Sequence, residues 1–291
     1  MITHQQRRNR ITFWLGLALL AILVGLFVAR DRSFENIQRA DRIRIGYAVE
    51  APFAFTRENR RVTGESPEVA RAVVERMGIS QITWIQTEFD QLIPDLRNGR
   101  FDVIAAGMFI TPERARWVAF SEPTFHVQQG LLVRIGNPHN LHTYEQVVQT
   151  AGIRVAVLDS SIEQRMLQQI GLAPERLIRA PDIPTARVAV ESDLADAFAI
   201  SAPTLRWLVK YEYVPQLEVA TPFVQPDPAH TDGLGYGGFA FRQEDRALRT
   251  AWNRAMDTLI NSRDHLQIIA PFGFTEAELP GAITTQEVLT Q

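Results

Sequence analysis

Residues 105–114, Ala-Ala-Gly-Met-Phe-Ile-Thr-Pro-Glu-Arg, decide how this chain is read. An apolar run enters a glycine, crosses a Thr-Pro step and reaches an arginine one turn into a new helix. Thr111 is a good N-cap, and Pro112 suits a first turn, where a missing N–H costs nothing. Backbone N–H groups left free there, with that of Gly107, favour an anion. Arg114 sets a planar guanidinium beside them, matched to a bidentate carboxylate. The competing reading is an arginine on a solvated helix face, and the rest of the chain has to separate the two.

Around this stretch, apolar and amphipathic segments alternate. Strands are predicted over 42–48, 82–86 and 101–106, with helices over 67–77 and 89–98 that end at Gly78 and Gly99. A second series follows: strands at 153–158 and 195–200, and helices at 161–170, 185–191 and 202–210. Such alternation implies parallel sheets with helices on both faces, and two series imply two α/β lobes. Segments 127–134 and 233–241 read as extended, one before and one after the second series. They fit a chain that leaves the first lobe and later returns. The glycines at 233, 235, 237 and 238 suit a hinge or a set of tight turns. A last helix over 244–260 completes the first lobe. The organisation expected is therefore 42–130 with 235–291 as lobe 1, and 131–234 as lobe 2.

At 291 residues the chain suits two compact domains. Residues 1–30 contain Arg7, Arg8, Arg10 and Arg30 and no acid, leaving 26 basic against 33 acidic residues beyond, a net −7. That balance argues against a polyanionic partner, so no nucleic-acid binding is expected. With no cysteine, disulfides, thiol catalysis, thiolate metal sites and lipobox acylation are excluded. The six histidines form no HxxxH or HxH pair, and neither a metal nor a cofactor is expected.

Residues 11–29 are an uncharged run of 19 residues preceded by the three N-terminal arginines. At about 1.5 Å per residue this just spans a hydrocarbon core of roughly 30 Å, with the basic end held inside. A cleaved signal peptide is the rival reading, but cleavage after Ala29 would put Phe27 at the −3 position. The expectation is an anchor over 1–30, a charged tether over 31–41, and an exported, periplasmic remainder.

The chain resembles the type II solute-binding proteins of ABC importers, the family that includes the polar amino-acid receptors. The resemblance is carried by GYAVEAPFAF (46–55), VTGESPEVARAVVERMG (62–78), TEFDQLIPDLRNGRFDVIAAGMFITPERARWVAFSEPT (87–124) and HLQIIAPFGFTEAELPG (265–281). It covers 42 to about 282, and within the family it is most similar to the ectoine and hydroxyectoine receptors. The resemblance implies the two-lobe α/β periplasmic-binding-protein type II fold, with two parallel-type sheets flanked by helices and two hinge strands.

It also implies roles for single residues. Arg114 would hold a ligand carboxylate, helped by the Gly107 N–H and by the Ser161 hydroxyl from lobe 2. Phe53, Phe89 and Phe109 would wall the pocket, and Glu50 would face a cationic ring nitrogen. The chemistry agrees: an aromatic face contributes about 0.5–2 kcal/mol to a desolvated cation, and a carboxylate adds a charge-assisted hydrogen bond. Each phenylalanine alone could be ordinary core, yet all three follow strands at the C-terminal edge of one parallel sheet, where α/β folds bind ligands.

Two departures from the amino-acid receptors bear on the ligand. Where they place Ser or Thr this chain has Phe109, and where they place Asp it has Ser201. A primary ammonium would lose two partners, each worth about 1–3 kcal/mol, whereas a ring-delocalised cation would not. A third departure, Ser160 in place of the usual glycine before the lobe 2 hydroxyl, bears instead on the anion contact.

The expected function is capture of a small zwitterion, ectoine or 5-hydroxyectoine, by a monomer that serves an ABC permease. A polar amino-acid receptor is the alternative within the fold. An enzyme of the cyclohexadienyl dehydratase type is the alternative of another class. Against catalysis, no second catalytic acid or base lies in the positions matched to the family, and an aromatic cage offers no proton transfer. A membrane-anchored sensor is a further reading, but no second span follows in the sequence.

Overall fold

The computed structural model describes residues 31–212, 214–227 and 235–290. The proposed anchor lies outside them, as do Gly233 and Leu234 of the second extended segment.

Two five-stranded sheets carry the fold. In the first the strands run in the order Gln81–Gln86, Arg42–Tyr47, Val103–Ile104, Ala240–Phe241, Ala119–Phe120. Arg42–Tyr47 is parallel to both neighbours, in register from Arg42 opposite Gln81 to Tyr47 opposite Gln86. The second repeats the plan with Leu177–Ala180, Val155–Leu158, Ala197–Ser201, Gln129–Arg134 and Leu217–Val219. Helices cover both sheets, giving the mixed α/β two-lobe architecture expected of the chain.

Neither sheet is wholly parallel. Ala240–Phe241 runs antiparallel in the first sheet and Gln129–Arg134 antiparallel in the second. Each is the strand by which the chain enters a lobe from the other one, so it arrives from the opposite end. Between the lobes, Phe125–His126 pairs antiparallel with Tyr236–Gly237, and the rings of His126 and Tyr236 stack at 4.2 Å.

Several elements differ from the sequence expectation for local reasons. Segment 31–41 is no tether: Ser33–Ala40 is a helix whose Ile37 is buried, fixed by bonds from the Ala247 N–H to Asp31 and from the Leu248 N–H to the Ser33 Oγ. The strand expected over 101–106 pairs only at Val103–Ile104, because the chain then turns at Gly107. The helix expected over 89–98 begins as a 3-10 turn, Phe89–Gln91, and continues as Leu92–Arg97. The last long helix is Arg246–Met256, shorter than predicted at both ends.

This architecture brings two sheet edges face to face. In the first sheet, the loops after the three parallel strands carry Glu50 and Phe53, Phe89, and Gly107 to Arg114. In the second, the corresponding edge carries residues 159–163, Pro181–Asp182 and Ser201. The lobes also meet beside this cleft. Trp207 packs between Phe55 (centroids 5.1 Å) and Phe272 (6.4 Å), while Arg206 pairs with Glu278 at 2.9 Å and Arg165 pairs with Glu113.

Candidate functional site in the cleft

The stretch at 105–114 folds as its local chemistry dictates. Thr111 accepts the Arg114 N–H at 3.2 Å and starts the short helix Pro112–Ala115. Arg114 is not on a solvated face; only 9 % of it is exposed. Its Nη1 donates to the Phe109 carbonyl (3.1 Å), and its Nη2 crosses the cleft to the Ser160 carbonyl (3.2 Å). Its guanidinium carbon lies 5.4 Å from the centroid of the Phe89 ring, a cation–π distance. Burial, together with nearby Arg165, pushes the guanidinium down to about 10, against the pull of Glu163, Glu113 and Glu50.

The Gly107 N–H is already engaged, which corrects the expectation of a free donor. It donates to Ser66 Oγ at 3.0 Å, and that hydroxyl in turn donates to Glu65 Oε2 at 2.6 Å. Gly107 sits at φ +66, and a Cβ there would fall 2.5 Å from Phe53 Cγ. Left-handed backbone strain alone costs about 1–3 kcal/mol for a residue that resists it. Gly107→Ala should therefore lower the melting temperature and displace Phe53, weakening binding in the same variant. Thermal denaturation and titration read the two effects, and an unchanged melting temperature would refute the packing argument.

The three phenylalanines are placed differently from one another. Phe53 is almost wholly buried, 5.0 Å from Phe125 and edge-on to Phe274 at 5.4 Å. Phe109 meets Phe125 edge-on at 6.0 Å while its carbonyl holds Arg114. Phe89 is half-buried and covers the arginine. Phe53 and Phe109 thus belong to one aromatic cluster continuous with the lobe 1 core, and Phe89 stands across the arginine from it.

Glu50 is buried and hydrogen-bonds to its own lobe through the backbone of Ala54. From the second lobe, Thr204 Oγ1 approaches Glu50 Oε1 at 3.5 Å and shares a 2.8 Å bond with Ser201 Oγ. Ser161 caps the helix Ile162–Gln169 by accepting the Gln164 N–H at 3.2 Å. Ser160 before it takes φ +60, the left-handed region in which glycine is usual, and still presents its carbonyl to Arg114.

One acid was missed by sequence reasoning. Glu163, in the first turn of that same helix, is 3 % exposed and coupled to both Glu50 and Arg114. Burial raises its carboxyl to about 7, held back by its own backbone N–H, the Ser161 hydroxyl and Arg114. Burial and then Glu163 raise Glu50 to about 8, held back by Arg114 and Thr204. Glu50 therefore has a second acid near it, at a position outside those the family resemblance pointed to. An acid in the first helical turn ordinarily reads as a surface partner of the helix dipole, so nothing local marked this one.

A cavity of about 210 Å³ opens between the lobes, lined by Glu50, Glu88 and Phe89 from one side and Leu158, Pro181 and Asp182 from the other. Its lining holds three acids and no base. Among the described residues no group of three or more acids or histidines is arranged to hold a metal ion. Of the expected site residues only Glu50 and Phe89 line this cavity; Arg114, Phe53, Gly107, Phe109, Ser161 and Ser201 lie outside its lining, with the Arg114 guanidinium held against the Phe109 and Ser160 carbonyls.

The chain belongs to the bacterial extracellular solute-binding proteins, family 3, whose model matches residues 43–275. It is 34 % identical over 259 residues to a probable amino-acid ABC transporter periplasmic-binding protein, y4tE, of Sinorhizobium fredii, covering 88 % of this chain and 85 % of that one. Among solved structures it is similar to EhuB in complex with hydroxyectoine, with TM-score 0.79 and 27 % identity over 89 % of this chain and 99 % of that one. It is also similar to a mutant of ArgBP from T. maritima, with TM-score 0.71 and 26 % identity over 83 % and 99 % of the two chains.

Proposed function

We propose that the protein is an extracytoplasmic receptor that captures ectoine or 5-hydroxyectoine and hands it to an ABC permease. The observation that carries this reading is the buried Arg114, its guanidinium over the Phe89 ring, with Glu50 on the same sheet edge and no aspartate at position 201. The ligand carboxylate would replace the Ser160 carbonyl on the arginine fork, with Ser161 alongside. The cyclic amidinium would then lie towards Glu50, against the rings of Phe89, Phe109 and Phe53. Since the Gly107 N–H is bound to Ser66, the arginine supplies most of the anion's hydrogen bonds from lobe 1.

We assign 42–130 and 235–291 to lobe 1 and 131–234 to lobe 2, closing about the extended segments 127–134 and 233–241. Ligand contacts from both lobes stabilise the closed form that a permease would recognise. We further propose that 11–29 tethers the receptor to the inner membrane. Isothermal titration of the full-length chain with ectoine tests the ligand assignment. Saturable heat at micromolar ligand is expected, and its absence overturns the assignment.

The same titration with L-arginine, L-lysine and L-histidine tests the polar amino-acid reading, which the similarity to y4tE favours. The buried Glu163 gives the cleft a second acid, so prephenate turnover is the assay that separates a receptor from a dehydratase.

A further inference from the structure

We propose that an arginine-rich face at the base of lobe 1 docks on an anionic lipid surface and turns the cleft away from the membrane. This rests on the reading of 11–29 as a membrane anchor and goes beyond it, since it says how the folded lobe sits on that membrane.

The face lies at the end of the first sheet opposite the cleft. The site residues follow the C-terminal ends of the parallel strands, whereas Arg42 opens one of these strands and Asp102 precedes another. The six residues of Arg42–Tyr47 put roughly 17 Å between the two ends, at about 3.3 Å per step. Three hollows meet on this side and share their walls. Arg242 belongs both to the one beside the helix Ser33–Ala40, with Arg42 and Asp102, and to the one lined by Arg97 and Arg116. Gln243 joins the latter to a third, lined by Arg246, Arg249 and Arg254.

Arg97, Arg116, Arg246 and Arg254 are exposed, and none of them forms an ion pair with another described residue. The helix Arg246–Met256 buries Leu248, Trp252 and Met256, so Arg246, Arg249 and Arg254 fall on its outer stripe. The last two hollows carry six arginines against three acids, Glu244, Glu122 and Asp257, whereas the chain beyond residue 30 is net −7. A positive face is thus set into an acidic molecule, and it complements an anionic partner.

Two further observations select lipid as that partner. Trp117 is 52 % exposed on this face, with the Arg97 guanidinium 4.7 Å from the centroid of its ring. An indole with a polar edge and an arginine with an apolar stem both suit the headgroup layer, where one end is wet and the other is not. The chain preceding the described residues also arrives here. The uncharged run 11–29 ends two residues before Asp31, which accepts the Ala247 N–H beside Arg246. Two residues reach at most about 7 Å, within the screening length of about 8 Å at physiological salt. A membrane holding that run therefore lies close enough for the arginines to feel its charge. Each arginine near such a surface shifts the docked-to-free ratio about fivefold, so the contact is firm yet reversible by salt.

The test reconstitutes the full-length chain in vesicles of phosphatidylcholine, with or without phosphatidylglycerol. Trp117 is followed with a quencher carried at headgroup level on a lipid, and Trp117→Phe supplies the blank. Quenching is expected at low salt in the anionic vesicles alone, and it should vanish at high salt. Arg116→Ala and Arg246→Ala should each lower the docked-to-free ratio about fivefold. Combining them with Arg97→Ala and Arg254→Ala should abolish quenching, with the melting temperature unchanged because none of the four has a charged partner to lose. A chain that high salt washes off both kinds of vesicle overturns the anchor reading and this proposal with it. A chain that stays bound while Trp117 is unquenched, or quenched equally in neutral vesicles, overturns this proposal alone. So does shielding of Trp117 from iodide by polyglutamate where anionic lipid gives none, which would make the partner an acidic protein segment.

Discussion

Replacing Arg114 by alanine should weaken ligand binding by about thirtyfold to a few thousandfold, the equivalent of roughly 2–5 kcal/mol for removing one member of a buried, hydrogen-bonded charge pair. The size of the effect comes from burial. Only 9 % of Arg114 is exposed, so water cannot replace the lost donors without opening the cleft. The loss also spreads beyond the anion. Arg114 opposes the upward push on both Glu50 and Glu163, so its removal leaves those carboxyls more fully protonated near neutral pH and weakens the cation's partner as well. Arg114→Lys keeps the charge but not the fork that now bridges the Phe109 and Ser160 carbonyls, and should fall between the two. Titration calorimetry, with circular dichroism to check the fold, reads the series. Wild-type affinity in Arg114→Ala would remove the arginine from the site.

Trp252→Ala should cost about 3–5 kcal/mol of stability, the usual range for deleting a large buried aromatic. Trp252 has no exposed surface and stands edge-on to Phe239 at 4.8 Å and Phe241 at 5.6 Å. It thus ties the helix Arg246–Met256 to the strand by which the chain returns to lobe 1. For a chain of this size the melting temperature should drop by roughly 10 °C. Trp252→Phe should cost much less, because the indole Nε1 has no hydrogen-bond partner among the described residues. A phenylalanine there keeps most of the apolar contact and abandons an unmet donor. Differential scanning calorimetry separates the variants, and equal melting temperatures for alanine and phenylalanine would refute the packing account.

What the chain discloses before folding depends on how local the cause is. The cap at Thr111, the turn at Pro112 and the arginine that follows are consequences of neighbours in sequence, and they were legible. The alternation that placed Phe53, Phe89 and Phe109 beyond the ends of three parallel strands was legible for the same reason. The helix Ser33–Ala40 was read as a tether from its charged and polar residues, although Phe34 and Ile37 lie three apart on one face; what buries that face is lobe 1, which the segment alone does not show. The antiparallel strands Gln129–Arg134 and Ala240–Phe241 escaped notice because direction in a sheet is set by where the chain comes from, not by the side chains it carries.

The site divides in the same way. By itself the sequence determined that an arginine stands at the head of a short helix, with aromatic residues and Glu50 at the same sheet edge. Spacing and capping within a few residues suffice for that. Only the tertiary structure decided that the Gly107 N–H is bound to Ser66, that Arg114 reaches across the cleft to Ser160, and that Glu163 is a second buried acid coupled to Glu50. Each of these depends on groups from 41 to over 100 residues apart in sequence meeting where water is excluded. Burial, which turns an ordinary first-turn glutamate into one whose charge must be balanced, is a property of the packed molecule and not of the helix that carries it.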